Sequence, residues 1–225
     1  MNLADWVVIM SICLTLAPVV MAVNTKKSDQ IIYGDDEILA WLCLLAGAIL
    51  TGDRNLINSF WFGLIIGIIQ PIADLHLTEK TLIYPDKKNL ILKTPFWVVC
   101  LWCIALAQLC YLWARIDDLM KFFSIPDNPT AKWFLFVTIG FLYFLIFEII
   151  VSNWTDWWRR KNCKKIWGVP IYALYAELAT VISLTLFFSP TDTLGRVVIS
   201  GWINGFVIIS IFIVFCKMAY DPKID

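Results

Sequence analysis

Histidine is nearly absent from this chain: His76 is the only one in 225 residues. That excludes the His-rich di-iron centres of membrane desaturases and hydroxylases, whose iron needs several imidazole ligands. Charge is scarce too. Asp, Glu, Lys and Arg make up 16% of the residues, and Lys+Arg 18 balance Asp+Glu 18 to a formal net charge of zero. Bulk charge therefore offers nothing to a nucleic-acid partner. No Walker A loop, Gly-rich dinucleotide fingerprint or GxSxG elbow occurs, which removes the common nucleotide-dependent and serine-hydrolase chemistries. Cysteine is not scarce, at seven residues, but all except Cys163 fall in apolar segments. The Cys100-x-x-Cys103 pair lies mid-segment in "FWVVCLWCIALAQLCYLW" with no second CxxC, so we read it as small buried side chains and expect no metal site.

What the chain has in excess is apolar residues: 60% of the total, with a mean hydropathy of +0.75. A bilayer crossing needs about 20 mainly apolar residues. Candidate spans lie at 3–23, 37–52, 57–75, 95–115, 133–153, 168–188 and 197–219. The first lacks a basic n-region and is read as a retained helix rather than a signal peptide. The second is short, with its start between Ile31 and Glu37. The third carries Gly63, Gly67 and Pro71, which predict a kink near its end. The expectation is an all-α polytopic membrane protein, a single seven-transmembrane-helix bundle over residues 1–225.

Thirteen of the 18 basic residues fall on one side of that bundle: Lys26, Lys27, Lys80, Lys87, Lys88, Lys93, Arg159, Arg160, Lys161, Lys164, Lys165, Lys217 and Lys223. The other side holds Arg54, Arg115, Lys121, Lys132 and Arg196. The positive-inside rule then sets the N-terminus outside and the C-terminus in the cytoplasm.

Several polar residues interrupt the spans. Glu177 sits halfway along "GVPIYALYAELATVISLTLFF", where a charged side chain costs roughly 2.5–3.5 kcal/mol. Gln70 and Asp74 share a helix face by their i,i+4 spacing, as do Glu148, Ser152 and Asp156, and Ser200 and Asn204. Asn204 lies about 12 Å from the outer end of its span at 1.5 Å per residue. Intramembrane ionisable groups face a bundle interior or a watery cavity, so Glu177, Glu148 and Asp74 are expected to share one polar cavity toward the cytoplasmic side. The plainer alternatives are contact with headgroup water or with the Lys/Arg-rich loops for Asp74 and Glu148, and for Glu177 a hydrogen bond to a residue such as Gln70 or Asn204. Gln108 reads as packing glue, and His76 as a solvated loop residue.

There are 12 tryptophans. Trp6, Trp154, Trp157, Trp158 and Trp167 flank predicted ends, as an interfacial belt does. Trp102, Trp202, Phe141, Phe144, Tyr172 and Tyr175 lie inside spans, where rings line a greasy pocket, stabilise a cation, or simply pack. The basic, Trp-rich stretch "WTDWWRRKNCKKIWGVP" reads as an inner-leaflet anchor or a site for a phosphate-bearing substrate. Lys217 lies too near a helix end for a retinal lysine, and Gln70-Pro71 reverses the Pro-Gln dipeptide of small triple-helix-repeat transporters.

Two stretches carry a resemblance: "DLHLTEKTLIYPDKKNLILKTPFWVVCLWCIALAQLCYLWARI" and "FEIIVSNWTDWWRRKNCKKIWGVPIYALYAEL". Their features are an Asp before a Tyr-Pro turn, a Thr-Pro-Phe-Trp helix start, a Glu ahead of a Trp-Trp pair, and Val-Pro-x-Tyr followed by Glu. Over residues 74–177 the chain is similar to an uncharacterised family of small multi-pass membrane proteins. Its layout also resembles the membrane-embedded carotenoid hydratases and cyclases and the membrane-bound terpene cyclases, in which acidic side chains protonate an alkene or epoxide. That resemblance implies a cofactor-independent intramembrane enzyme acting on an isoprenoid. Glu177, Glu148 and Asp74 are its candidate catalytic carboxyls, and Tyr172, Tyr175, Gln70, Asn204, Trp202 and Trp102 its candidate substrate-binding residues. Expected partners are membrane lipids and a lipophilic small molecule. The alternatives are a proton-coupled carrier using the same carboxyls, and a lipid-binding scaffold.

Overall fold

A computed structural model describes residues 1–25, 30–85, 89–154 and 157–223. Lys26, Lys27, Lys87, Lys88 and Asp156 of the sequence reading lie outside the described residues, as does the side chain of Trp154. The helices are α1 (Leu3–Thr25), α2 (Gln30–Thr51), α3 (Arg54–Ile69), α4 (Pro71–Lys80), α5 (Phe96–Phe122), α6 (Pro129–Trp154), α7 (Ile171–Phe187) and α8 (Leu194–Ala219). Among the described residues, four stretches are long and apolar enough to cross a membrane: Arg54–Thr78, Phe96–Phe122, Pro129–Asn153 and Leu194–Ala219. Leu3–Ala17 and Ile171–Phe187 are shorter apolar helices.

Local chemistry sets the helix ends. Asn2 and Asp5 form a reciprocal cap on α1: Asp5 N–H donates to Asn2 Oδ1 at 2.9 Å and Asn2 N–H to Asp5 Oδ2 at 2.6 Å. Gly52, at φ +62°, ends α2, and the Asp53 side chain caps α3 by accepting from Leu56 N–H at 3.0 Å. Pro71 has no N–H to donate, so the third helical rod divides at Gln70 and restarts as α4. The anticipated kink is therefore a break between two helices, and α4 runs on to Lys80, beyond the predicted end at 75.

Glycine decides how closely the rods approach. On α3 a Cβ at Gly63 would stand 2.5 Å from Ala107 N, and one at Gly67 2.6 Å from Cys103 N. This Gly-x-x-x-Gly face lets α3 lie directly on the backbone of α5, giving Cys103 a packing role. The opposite flank of α3 meets α8, where Gly205 faces Ile69 and Gly201 faces Ile65. The main core fills the space between α3 and α8 and includes Phe62, Ile66, Leu106, Phe136, Trp157 and Tyr172; a second core packs α1 and α2 against α3 and α5 through Ala40, Leu44, Leu56 and Ile104.

Six short strands gather at one end of the bundle, so the described residues are mostly, not wholly, helical. β1 (Leu82–Ile83) pairs antiparallel with β4 (Arg159–Arg160), with Leu82 opposite Arg160. β2 (Leu90–Ile91) and β3 (Thr94–Pro95) form one hairpin, and β5 (Lys165–Ile166) and β6 (Val169–Pro170) another. Each turns through two residues of positive φ, Leu92-Lys93 in the first and Trp167-Gly168 in the second. Each hairpin then leads through a proline, Pro95 or Pro170, into a helix. Two like units, α4–β1–β2–β3–α5 and α6–β4–β5–β6–α7, thus meet across the β1–β4 pair. Nothing in the composition of these loops predicts the strands.

The tryptophans divide as well. Trp6 and Trp167 are exposed, as a belt requires, whereas Trp157 and Trp158 are buried in the core. His76 is exposed on α4 rather than in a loop.

Candidate functional site

The β1–β4 ladder carries a cation into the bundle. Leu82 and Arg160 are register partners, and Lys161 N–H donates to Thr81 C=O at 2.8 Å, which fixes β4 against the end of α4. Held there, Arg160 turns its guanidinium inward. Its Nη2 donates to Glu148 Oε1 of α6 at 3.0 Å, and the two side chains are 10% and 6% exposed. Its Nη1 donates to Tyr172 Oη of α7 at 3.3 Å, and Tyr172 Oη also lies 2.9 Å from Thr81 Oγ1. The Trp158 ring lies under the guanidinium at 5.7 Å. Burial alone would push Arg160 down; the surrounding Tyr172, Glu148, Tyr84 and Asp74 more than reverse this, so it is raised and stays cationic.

Glu148 is the hub. Its Oε2 accepts from Trp158 Nε1 and from Ser152 Oγ, each at 3.4 Å. Glu177 of α7, 2% exposed, hydrogen-bonds to Glu148, while its Oε2 meets no protein partner. A carboxyl–carboxyl hydrogen bond requires a proton on one member. Asp74 of α4 stands nearby with its own donors: Tyr84 Oη at 2.8 Å and Thr94 Oγ1 at 3.1 Å, both to Oδ2. Burial, then the Asp74 charge, push the Tyr84 phenol well above its ordinary range, so it remains a donor.

Arg160, Glu148, Glu177, Asp74, Tyr84 and Trp158 line one cavity whose walls are otherwise largely apolar and aromatic: Leu77, Leu101, Trp102, Tyr143, Phe144, Phe147 and Phe212. Gln70, at the α3–α4 break, lines it as well. Of the residues singled out in the sequence, Glu177, Glu148, Asp74, Gln70 and Trp102 border the cavity, and Tyr172 stands behind Arg160. Three others stand elsewhere. Tyr175 is 56% exposed and stacks on Phe215 at 5.7 Å. Trp202 is 44% exposed and stacks on Phe206 at 6.2 Å. Each lies two residues from its polar neighbour, Glu177 or Asn204, which at about 100° per residue puts it on the far side of its helix. Asn204 is fully buried but does not border the cavity, and neither amide atom has a protein partner. Glu177 thus bonds to Glu148 and to neither Gln70 nor Asn204. Thr180 turns back to Ala176 C=O at 2.8 Å.

Sequence reasoning passed over four members of this site: Arg160, Tyr84, Thr94 and Trp158. Arg160 was one of five basic residues in its loop, and only its pairing with β1 distinguishes it. Tyr84 was visible as the Tyr-Pro turn after Asp74. A fifth omission is Glu37 of α2, fully buried with neither carboxylate oxygen partnered among the described residues. Gln108 joins α1, α5 and α6: its Nε2 donates to Ser11 Oγ at 3.0 Å, and its Oε1 accepts from Tyr143 Oη at 2.9 Å.

No curated protein and no solved structure matches this chain. One family model does, over residues 71–220, from the first residue of α4 to just past the end of α8, and it is not a carotenoid or terpene family. That stretch holds every cavity residue named above except Gln70, so the paired units and their buried Arg–Glu–Glu cluster are features of the matched segment. The chain belongs to the family defined by the domain of unknown function DUF6989.

Proposed function

We propose that this protein is an intramembrane enzyme that uses carboxyl acid–base chemistry on a lipophilic substrate held in the α4–α7 cavity. The observation that carries the reading is the Arg160–Glu148–Glu177 cluster, in which one carboxyl pairs with a buried guanidinium and shares a hydrogen bond with its neighbour beside an apolar, ring-lined space. In this reading Glu177 protonates a double bond or an oxygen function of the substrate. Trp102, Phe144 and Trp158 shield the cation that forms, since ring faces attract positive charge. Arg160 balances the second negative charge left on the carboxyl pair. Glu148 or Asp74 then takes a proton from carbon, which restores the starting count. This is chemistry of the cyclase, hydratase or isomerase type, an isoprenoid suits the walls, and no cofactor enters the cycle.

The same reading takes all seven apolar rods as crossings, with the N-terminus outside and the strand end of the bundle in the cytoplasm. That places the cavity near the side that holds 13 of the 18 basic residues.

Mass spectrometry of organic extracts from purified wild type and Glu177→Gln tests the enzyme. A lipid that accumulates on the folded variant supports it. Identical generic phospholipid profiles refute it. One observation favours a second reading, a proton-coupled carrier: the cavity lies where two like units meet, the usual place for a transport site. A carrier moves protons only across sealed vesicles, whereas an enzyme converts its substrate in detergent.

A further inference from the structure

The cavity holds more hydrogen-bonding capacity than the protein uses. Gln70 is 1% exposed, and among the described residues neither its amide nitrogen nor its amide oxygen has a partner. Glu177 Oε2 and Arg160 Nε, of two residues that line the same cavity, are also without one there. The neighbouring polar groups are served: Asp74 by Tyr84 and Thr94, Glu148 by Arg160 and Trp158, Tyr143 by Gln108. Unmet capacity is therefore concentrated in one amide, one carboxyl oxygen and one guanidinium N–H. Buried polar groups are almost always hydrogen-bonded, so this set is open to a ligand's polar atoms.

The set has a chemical signature. Gln70 Nε2 and Arg160 Nε are donors, and Gln70 Oε1 and Glu177 Oε2 accept, so the complementary group must both accept and donate. A plain hydrocarbon would fit the aromatic walls and leave Gln70 unserved. An ammonium donates but cannot accept from Gln70 Nε2. A diphosphate would bring negative charge against three carboxyls, with the only lining cation already engaged by Glu148. A hydroxyl meets both requirements.

We propose that the cavity takes a lipid through a hydroxyl head, with Gln70 Nε2 donating to the hydroxyl oxygen and the hydroxyl proton donated to a carboxyl or amide oxygen of Glu177 or Gln70. This rests on the acid–base reading and narrows it, because Glu177, once the proton it shares with Glu148 turns to the hydroxyl oxygen, delivers that proton to oxygen rather than carbon. The new O–H bond turns the hydroxyl into water, which leaves with the electron pair of the broken C–O bond. A neighbouring C–H then gives its proton to Glu148, leaving an alkene and a carboxyl pair that again holds one proton. The reaction is elimination of water or, in reverse, its addition.

The test titrates purified full-length protein in detergent with farnesol and with β-farnesene, two probes of equal carbon number of which only the first has a hydroxyl. Tryptophan fluorescence reports binding, since Trp102 and Trp158 line the cavity. Wild type is expected to bind farnesol about tenfold more tightly, the worth of one good buried hydrogen bond. Gln70→Leu should bring the two within about threefold of each other. It should also melt no lower than wild type, because no internal hydrogen bond of the Gln70 amide is lost. Equal binding of both probes by wild type, or an unchanged preference in Gln70→Leu, overturns the hydroxyl head and leaves the acid–base reading standing. Failure of both probes to bind, together with identical extracts from wild type and Glu177→Gln, overturns both.

Discussion

Replacing Arg160 by Met should destabilise the protein severely, and replacing Glu148 by Met as well should restore much of the loss. At 3.0 Å the Arg160–Glu148 pair has a Coulomb energy of about 5.5 kcal/mol at an effective dielectric constant of about 20. Most of that offsets the desolvation of two buried ions, so the intact pair adds little net stability. Removing only the cation is different: Glu148 is left buried with no counter-charge, a loss of about 3–5 kcal/mol. For a chain of this size each kcal/mol moves the melting temperature by about 2–4 °C, so Arg160→Met should melt about 6–20 °C lower. In the double variant neither charge remains, and buried ion pairs replaced by apolar side chains of similar volume are often neutral. At least half of the lost temperature should return. The assay is thermal unfolding in detergent followed by tryptophan fluorescence and by loss of the monodisperse chromatographic peak. An Arg160→Met melting temperature within about 2 °C of wild type would refute a buried, mutually dependent pair. Simple additivity of the two single losses in the double variant would refute it equally.

Other outcomes follow from the same structure. Tyr84→Phe removes a 2.8 Å hydrogen bond to Asp74 and should cost about 1.5–3 kcal/mol, the range for bonds to charged groups, read as a lower melting temperature. Glu37→Leu should raise stability by about 1–3 kcal/mol, because neither carboxylate oxygen has a protein partner; a lower melting temperature would mean that Glu37 is bound by something the fold alone does not supply. Gly67→Leu drives a side chain into the backbone of α5 at Cys103 and should abolish recovery of monodisperse protein, whereas a normal yield would contradict the close α3–α5 approach. Burial raises the Cys163 thiol above its ordinary range, against the partial pull of Lys165 and Arg160. A raised pKa lowers the thiolate fraction at neutral pH, so a water-soluble maleimide should label Cys163 slowly and faster with each unit of pH through 9; rapid labelling of folded protein at pH 7 would refute its burial.

Hydropathy alone located the middles of the helical rods but not all their ends: the third span is two helices, divided at Gln70, and α5 runs on to Phe122, past the predicted 115. Apolar stretches of helical length satisfy their own backbone hydrogen bonds in hydrocarbon, and Pro71, Pro95 and Pro170 mark their limits because proline cannot donate within a helix. Local spacing likewise put Gln70 and Asp74 on one face. Glu37 escaped notice because it stood at the margin of a predicted span, where depth is not defined by composition. The tyrosines of α7 needed the phase of the helix: Tyr172 turns inward to Arg160 and Tyr175 outward to Phe215. The composition of the loops hid most. "WWRRKNCKK" carries the character of an interfacial anchor, yet Trp157, Trp158 and Arg160 are drawn inside. The cause is a pairing of residues 82–83 with 159–160, a contact between segments far apart in the chain that no local pattern encodes. The sequence by itself thus determined which segments are helical and which carboxyls are costly to bury. Only the tertiary structure decided which cation meets Glu148, which carboxyl shares its proton, and which amide is left for a ligand, because those depend on where separate helices and two short strands come to rest.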